Sequence, residues 1–319
     1  MSAGGKGRGS TAFGSATTED GRVLAWQDGG DPHGYPVIGL HGTPGCRLAR
    51  VADDRVYADA GVRYVTTDRA GYGRSSRNHG RLVADEAADV AVVADALGLD
   101  TFAVSGGSGG GPHALAVAAL LPDRVTRVAS LAGLAPLATT TGRHGLSRAD
   151  WSECMDMSNL EELAWSLQGE AALQAGLRGR LEEMERSLVE DPSVLLGTEM
   201  SDSDRAFLAD PGVAATFRAV IREAGRQGVM GWVDDSLAFV APWGFEPADI
   251  RCPALVLYGL EDSTLNPRHG EWLASRLPDV TVVVEDKGGH MPLDFEREIA
   301  EVMTWLRTGE RSPRWETSE

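Results

Sequence analysis

The run Val104 to Gly111 places a serine at the centre of a Gly-x-Ser-x-Gly pattern, Gly106, Ser108 and Gly110, where an apolar segment passes straight into a helix-prone one. A hydroxyl on so sharp a strand-to-helix turn stands clear of the sheet, ready to attack a carbonyl, and the flanking glycines let strand and helix come close. Context separates this from an accidental Gly/Ser loop in a chain with 39 glycines. Residues 101–104 are β-prone, and residues 113–121 favour helix and end at Pro122.

A serine hydroxyl needs a base to take its proton and a third group to orient that base. Among the chain's 7 histidines, His290 falls on a loop directly after the β-branched run 281–284. A carboxylate follows the apolar run 254–257 in Tyr258-Gly259-Leu260-Glu261-Asp262. Asp262 and Glu261 both qualify as the acid by position, at the carboxyl end of a strand, where ligands bind in open α/β sheets. A further loop, His41-Gly42-Thr43-Pro44-Gly45, follows the apolar run 36–40. A tetrahedral intermediate requires backbone N–H donors aimed at its oxyanion, and the expected donors are Thr43 on this loop and Gly109, the residue after the nucleophile.

The order serine, acid, histidine, each at a separate strand end, resembles the catalytic set of the α/β-hydrolase superfamily, specifically its lidded esterase-like members carrying His-Gly-x-Pro-Gly. The resemblance runs from about Ala12 to Leu306 and favours Asp262 as the acid, because Gly-x-x-Asp is the family's spacing. Thr67-Asp68-Arg69-Ala70-Gly71-Tyr72-Gly73-Arg74-Ser75 is similar to the family's Asp-x-x-Gly-x-Gly-x-Ser loop, whose implied role is structural. Gly109 stands where many relatives carry a larger residue, which implies a wider pocket floor. Relatives that open epoxides or cleave haloalkanes need an aspartate at position 108. His-Gly-Thr-Pro-Gly departs from the His-Gly-Gly-Pro-Gly of proline iminopeptidases.

The elements that position these residues follow from the same pattern. Asp20-Gly21 reads as a hairpin turn, strands fall near 36–40, 63–67 and 125–131, and a helix covers 84–97. This alternation predicts a doubly wound, mostly parallel sheet, the α/β-hydrolase fold. Between about 134 and 245 the strand signals stop and helical ones take over. Ser147 with Asp150 and Ser158 with Glu161 resemble capping boxes, Asp210-Pro211 a cap with proline at the first helical position, and Leu173, Leu177, Leu181, Met184 and Leu188 share a helix face. The expected organisation is a disordered start at 1–11, a core at 12–133 and 246–308, an inserted helical lid at 134–245, and a flexible tail at 309–319. Trp151, Met155, Met157, Trp165, Trp232, Phe239 and Trp243 are candidate pocket-lining residues, while Glu182-Glu183-Glu185 and Asp234-Asp235 read as solvated faces.

At 319 residues and 42% hydrophobic content the chain can bury one large core. Its net charge of −17 and pI near 4.8 argue against nucleic acid or anionic membrane as partners, and against phosphate-bearing acyl carriers. Cys46, Cys154 and Cys252 show no metal pattern and no disulfide framework, the N-terminus lacks an apolar signal core, and no stretch reaches the roughly 18 apolar residues of a membrane helix, so a cytoplasmic protein is expected. His41 and His113 read as structural, and His33, His79, His144 and His269 as solvent-facing. The expectation is a serine hydrolase acting on the ester or related acyl bond of a small molecule, without metal or organic cofactor and of open oligomeric state. The alternatives are an acyltransferase or cyclase with the same triad, an aminopeptidase, or a non-enzymatic binding scaffold.

Overall fold

The computed structural model describes residues 11–138, 145–190 and 200–316. Among the described residues eight strands run in chain order: β1 (Ala12–Thr17), β2 (Val23–Gly30), β3 (Tyr35–Leu40), β4 (Val62–Thr67), β5 (Phe102–Gly107), β6 (Val125–Leu131), β7 (Ala254–Gly259) and β8 (Val280–Glu285). They form one sheet in the order β1-β2-β4-β3-β5-β6-β7-β8. The β1–β2 hairpin turns at Gly21, whose φ of 85° suits glycine, and pairs antiparallel to β4, while every pairing from β4 to β8 is parallel. Parallel strands buried on both faces need apolar residues at consecutive positions, and the central strands supply them. Ile38, Val104, Val128 and Val256 enter one core with α2 (Glu86–Ala96) and α3 (Gly110–Leu120), and Val37, Ala103, Ala129 and Leu255 enter the other with α11 (Phe295–Thr308).

The short α1 (Arg55–Asp59) precedes β4. Between β6 and β7, helices α4 (Arg148–Ser152), α5 (Met157–Gln168), α6 (Glu170–Glu190), α7 (Asp202–Ala209), α8 (Pro211–Ala224) and α9 (Met230–Val240) form an insertion. Helix α10 (Arg268–Ala274) lies between β7 and β8. Ser147 caps α4 and Asp210 caps α8, as the sequence predicts, but α5 starts two residues early: the Asp156 carboxylate, not Ser158, accepts the first free amides, from Ser158 and Asn159. Leu173, Leu177 and Met184 are buried on the expected α6 face with Leu181 half-buried beside them, and the side chain of Leu188 lies outside the described residues. The expected flexible tail is ordered through a short turn at Pro313–Glu316, where the Trp315 indole donates to Glu298 Oε1 at 2.7 Å. Residues 1–10 and 317–319 lie outside the described residues, as does His144. Among the described residues no helix is long and apolar enough to cross a membrane.

The insertion packs backbone against backbone on the sheet domain where α9 crosses the loop after β4. A Cβ added at Gly71 would stand 2.8 Å from Gly231 Cα, and one at Gly231 would stand 2.7 Å from Gly71 C and O. Backbone opposes backbone here, so neither side can yield cheaply. Gly231→Ala is expected to cost about 1–3 kcal/mol by overpacking and to lower the thermal unfolding midpoint by several degrees. An unchanged midpoint would contradict this crossing.

Candidate active site

Ser108 sits between β5 and α3 with a φ of 52°, a left-handed conformation that a residue bearing a Cβ adopts only under constraint. The motif glycines supply that constraint. A Cβ at Gly106 would meet Gly110 O at 2.1 Å, and one at Gly110 would meet Leu40 O at 2.2 Å. The Ser108 N–H donates to Leu131 O at 2.8 Å, pinning the turn to β6. Its side chain and that of His290 border the same cavity of about 1330 Å³.

Asp262 is buried after β7, and its Oδ1 accepts the amides of Thr264 and Leu265 at 2.8 and 2.9 Å. The other oxygen accepts from His290 Nδ1–H at 2.9 Å. Glu261 turns instead to solvent, where it pairs with Lys287. The alternative left open by residue order is thereby decided by geometry: Asp262, not Glu261, contacts the imidazole. With Nδ1 donating to a carboxylate, Nε2 is the free ring atom.

The loop bearing His290 is gripped from the insertion. Asp204, in the first turn of α7, is buried and accepts the amides of His290 and Met291 at 3.1 and 2.8 Å, while Ser203 Oγ accepts the Gly289 amide at 2.8 Å. Sequence reasoning missed Asp204, whose only local signal was the Ser201-x-x-Asp204 cap spacing. Burial pulls the His290 imidazole down, but the negative charges of Asp262, Asp204 and Asp156 outweigh it and leave its pKa above the ordinary 6.5.

Thr43 and Gly109 line the cavity with Ser108, and neither backbone amide has a hydrogen-bond acceptor among the described residues. Thr43 is half-buried and Gly109 buried, and their backbone amides are the expected oxyanion donors. The expected wider floor at Gly109 is absent. A Cβ there would meet Thr43 Oγ1 at 2.4 Å and Phe239 at 3.1 Å, so those two side chains already fill the space.

Beneath this loop lies a polar hub that the sequence reading placed in solvent. Asp234 and Asp235 are both buried. Asp234 pairs with Arg77, and Asp235 gathers donors from four segments: Arg69 at 2.5 Å, Arg81 at 2.6 Å, Tyr72 Oη at 2.9 Å, Thr43 Oγ1 at 2.7 Å and His113 Nε2 at 3.2 Å. Burial pushes the Asp235 carboxyl upward, yet Arg69 and Arg81 hold it well below the usual carboxylate range. Burial lowers His113 to about 4 and places His41 well below its ordinary value, so both rings are neutral. His33 and His79 are exposed as expected, but His269 is buried, accepting the Ala135 amide at Nδ1 and donating to Trp151 O. Helix α10 turns that ring inward against Trp151, a packing that local polarity does not reveal. Glu182, Glu183 and Glu185 are exposed as expected.

Of the candidate lining residues, Trp151, Met155, Met157, Trp232 and Phe239 border the cavity. Trp165 does not: it packs on Gly176 with Arg180 over its ring, and Trp243 stacks on Phe245. Sequence reasoning missed Phe207, Val213, Phe217 and Ile221 of α7 and α8, and Glu162, whose carboxylate accepts from Trp232 Nε1 and Ser236 Oγ. Apolar helix faces look alike whether they meet a cavity or another helix.

The family profile described as alpha/beta hydrolase fold matches residues 35–297. A proline iminopeptidase of Xanthomonas citri is 40% identical over 114 residues, covering 33% of this chain and 34% of that protein. A non-heme chloroperoxidase of Streptomyces lividans is 33% identical over 132 residues, covering 39% and 46%. The matched stretch thus spans about a third to a half of these curated relatives. Among solved structures, an alpha/beta hydrolase fold protein from Nakamurella multipartita superposes with a TM-score of 0.63 at 23% identity, covering 94% of this chain and 100% of that one. An esterase from Rhodococcus sp. ECU1013 gives 0.62 at 19%, covering 93% and 98%. With most of its length inside the family profile and its sheet matching these folds, the chain belongs to the alpha/beta hydrolase fold family.

Proposed function

We propose that this chain is a serine hydrolase that cleaves a carboxylic ester, or a closely related acyl bond, of a small molecule through an acyl-enzyme on Ser108. The observation that carries the reading is His290, held 2.9 Å from the buried Asp262 and bordering one cavity with a serine at a φ of 52°. Ser108 Oγ attacks the carbonyl carbon while His290 Nε2 takes its proton, and Asp262 fixes the ring and stabilises the imidazolium. The carbonyl oxygen, now negative, is received by the N–H groups of Thr43 and Gly109, each worth about 3–4 kcal/mol of barrier lowering. The imidazolium then gives its proton to the leaving alcohol, and water repeats the sequence against the acyl-enzyme. Helices α4–α9 serve as the lid, their apolar residues forming the acyl or alcohol pocket.

An aminopeptidase is the second reading. It is favoured by the partial matches to proline iminopeptidases and by the carboxylate of Asp156 on the cavity wall, which could meet a substrate ammonium. A prolyl p-nitroanilide tested beside p-nitrophenyl esters separates the two. The ester reading expects esters to turn over faster, with acyl chains longer than acetyl preferred because the cavity is large. Faster anilide cleavage would displace it.

Ser108→Ala is expected to lower turnover by about 10⁴-fold or more, and to abolish fluorophosphonate labelling while circular dichroism is unchanged. Labelling that persists in the folded variant would place the nucleophile elsewhere.

kcat/KM is expected to rise with pH as His290 loses its proton, and because its pKa is raised the midpoint lies above 6.5. Asp204→Asn removes one of the charges favouring the imidazolium, so the midpoint moves to lower pH. A flat profile between about pH 5 and 8, or a midpoint that moves upward, would contradict the assignment.

A further inference from the structure

The oxyanion donor Thr43 N–H belongs to the peptide unit whose carbonyl is Gly42 O. That carbonyl accepts two hydrogen bonds, from His41 Nδ1–H at 2.7 Å and from Arg69 Nη2 at 3.2 Å. The same guanidinium donates through Nη1 to His41 O, through Nη2 to Thr43 Oγ1 at 2.9 Å, and to Asp235 at 2.5 Å. Its side chain is wholly buried, as is that of Asp235. The His41 ring cannot choose its proton freely, because Nε2 accepts the Arg69 backbone amide at 3.1 Å and Nδ1 must therefore be the donor. Two donors, one of them cationic, thus converge on the far end of the amide whose near end is unpartnered.

We propose that Arg69 and His41 are positioning residues that polarise the Gly42–Thr43 peptide and so strengthen its N–H as an oxyanion donor, with Asp235 of helix α9 holding Arg69 and Thr43 in place. A hydrogen bond to an amide carbonyl, and a charge-assisted one above all, draws electron density onto the oxygen and leaves the N–H more positive. Where water is excluded the effect is not screened. A partner for Asp235 alone would need no contact with His41 O or Gly42 O. Arg81, which also pairs with Asp235, makes none. The loop from Thr67 to Ser75, which the resemblance assigns to structure, thereby acts on the chemistry through one peptide bond. The inference rests on the acyl-enzyme reading above.

The test compares wild type with Arg69→Gln and Arg69→Lys, using a p-nitrophenyl ester for kcat and KM. A trifluoromethyl ketone serves as inhibitor: its carbonyl carbon bonds to Ser108 Oγ, its oxygen takes the electron pair, and the serine proton passes to His290. Fluorophosphonate titration counts competent sites. Arg69→Gln is expected to lower kcat per titrated site by about 10- to 100-fold while KM stays within about threefold, and to raise the ketone inhibition constant by the same factor as kcat falls. Arg69→Lys, which keeps the charge but not the planar fork, should fall between. In the wild-type ketone adduct the Thr43 amide proton should resonate downfield of its position in the Arg69→Lys adduct, and this readout stands even if Arg69→Gln fails to fold.

Ketone affinity and kcat per site unchanged in the variants, or an unmoved Thr43 resonance, would overturn this inference alone, provided the wild-type adduct forms on Ser108. A wild-type protein that forms no adduct on Ser108 would overturn the inference together with the reading on which it rests.

Discussion

The carboxylate of Asp235 is a full charge with no exposure to water, and the architecture around it follows from the need to satisfy that charge. An isolated buried carboxylate would cost many kcal/mol in lost solvation, so it persists only with donors on every side. Here they come from the loop after β3, the loop after β4, the following residue Arg81 and helix α3. Losing one such partner typically costs about 3–5 kcal/mol, far more than an exposed ion pair contributes. The hub therefore fixes the inserted helix α9 against the loop after β3 that carries Thr43, and the close approach of Gly71 and Gly231 is the backbone counterpart of that attachment.

A second buried carboxylate of the insertion does the same for His290, the proposed base. Asp204 accepts the amides of His290 and Met291, so the histidine loop is bonded to α7 as well as to its own strand. There is thus a division of labour between the two parts of the chain. Ends of parallel strands present the serine, the aspartate and the histidine, while carboxylates of the insertion hold the loops on which two proposed groups, the base and an oxyanion donor, depend. A helical insertion so bonded is tied to the loops bearing both residues, and movement of α7 or α9 would be felt at once by His290 or Thr43.

Much of this was legible in the chain, because the relevant rules are local. Gly106, Ser108 and Gly110 encode their own turn, and runs of apolar residues at 36–40, 101–104 and 254–257 encode buried parallel strands whose ends lie together. What stayed hidden depends on partners distant in sequence. Glu261 and Asp262 are neighbours of the same chemical type, and only the direction of the turn after β7 decides which meets His290. Asp234-Asp235 has the composition of a solvated patch, and nothing within α9 announces Arg77, Arg69 or Arg81. Gly109 suggested open space, yet the volume was taken by Thr43, far earlier in the chain. His269 was misplaced for the same reason, since its bonds run to Ala135 and Trp151.

The central claim is that an alcohol, an imidazole and two amide N–H groups converge on one reacting carbonyl group. A crystal structure of the protein with a phosphonate monoester bonded to Ser108 tests it most directly. The account predicts the phosphonyl oxygen within hydrogen-bond reach of both the Thr43 and Gly109 nitrogens, with His290 Nε2 facing the Ser108 oxygen. An oxygen turned away from those amides, or an imidazole swung out of reach, would contradict it.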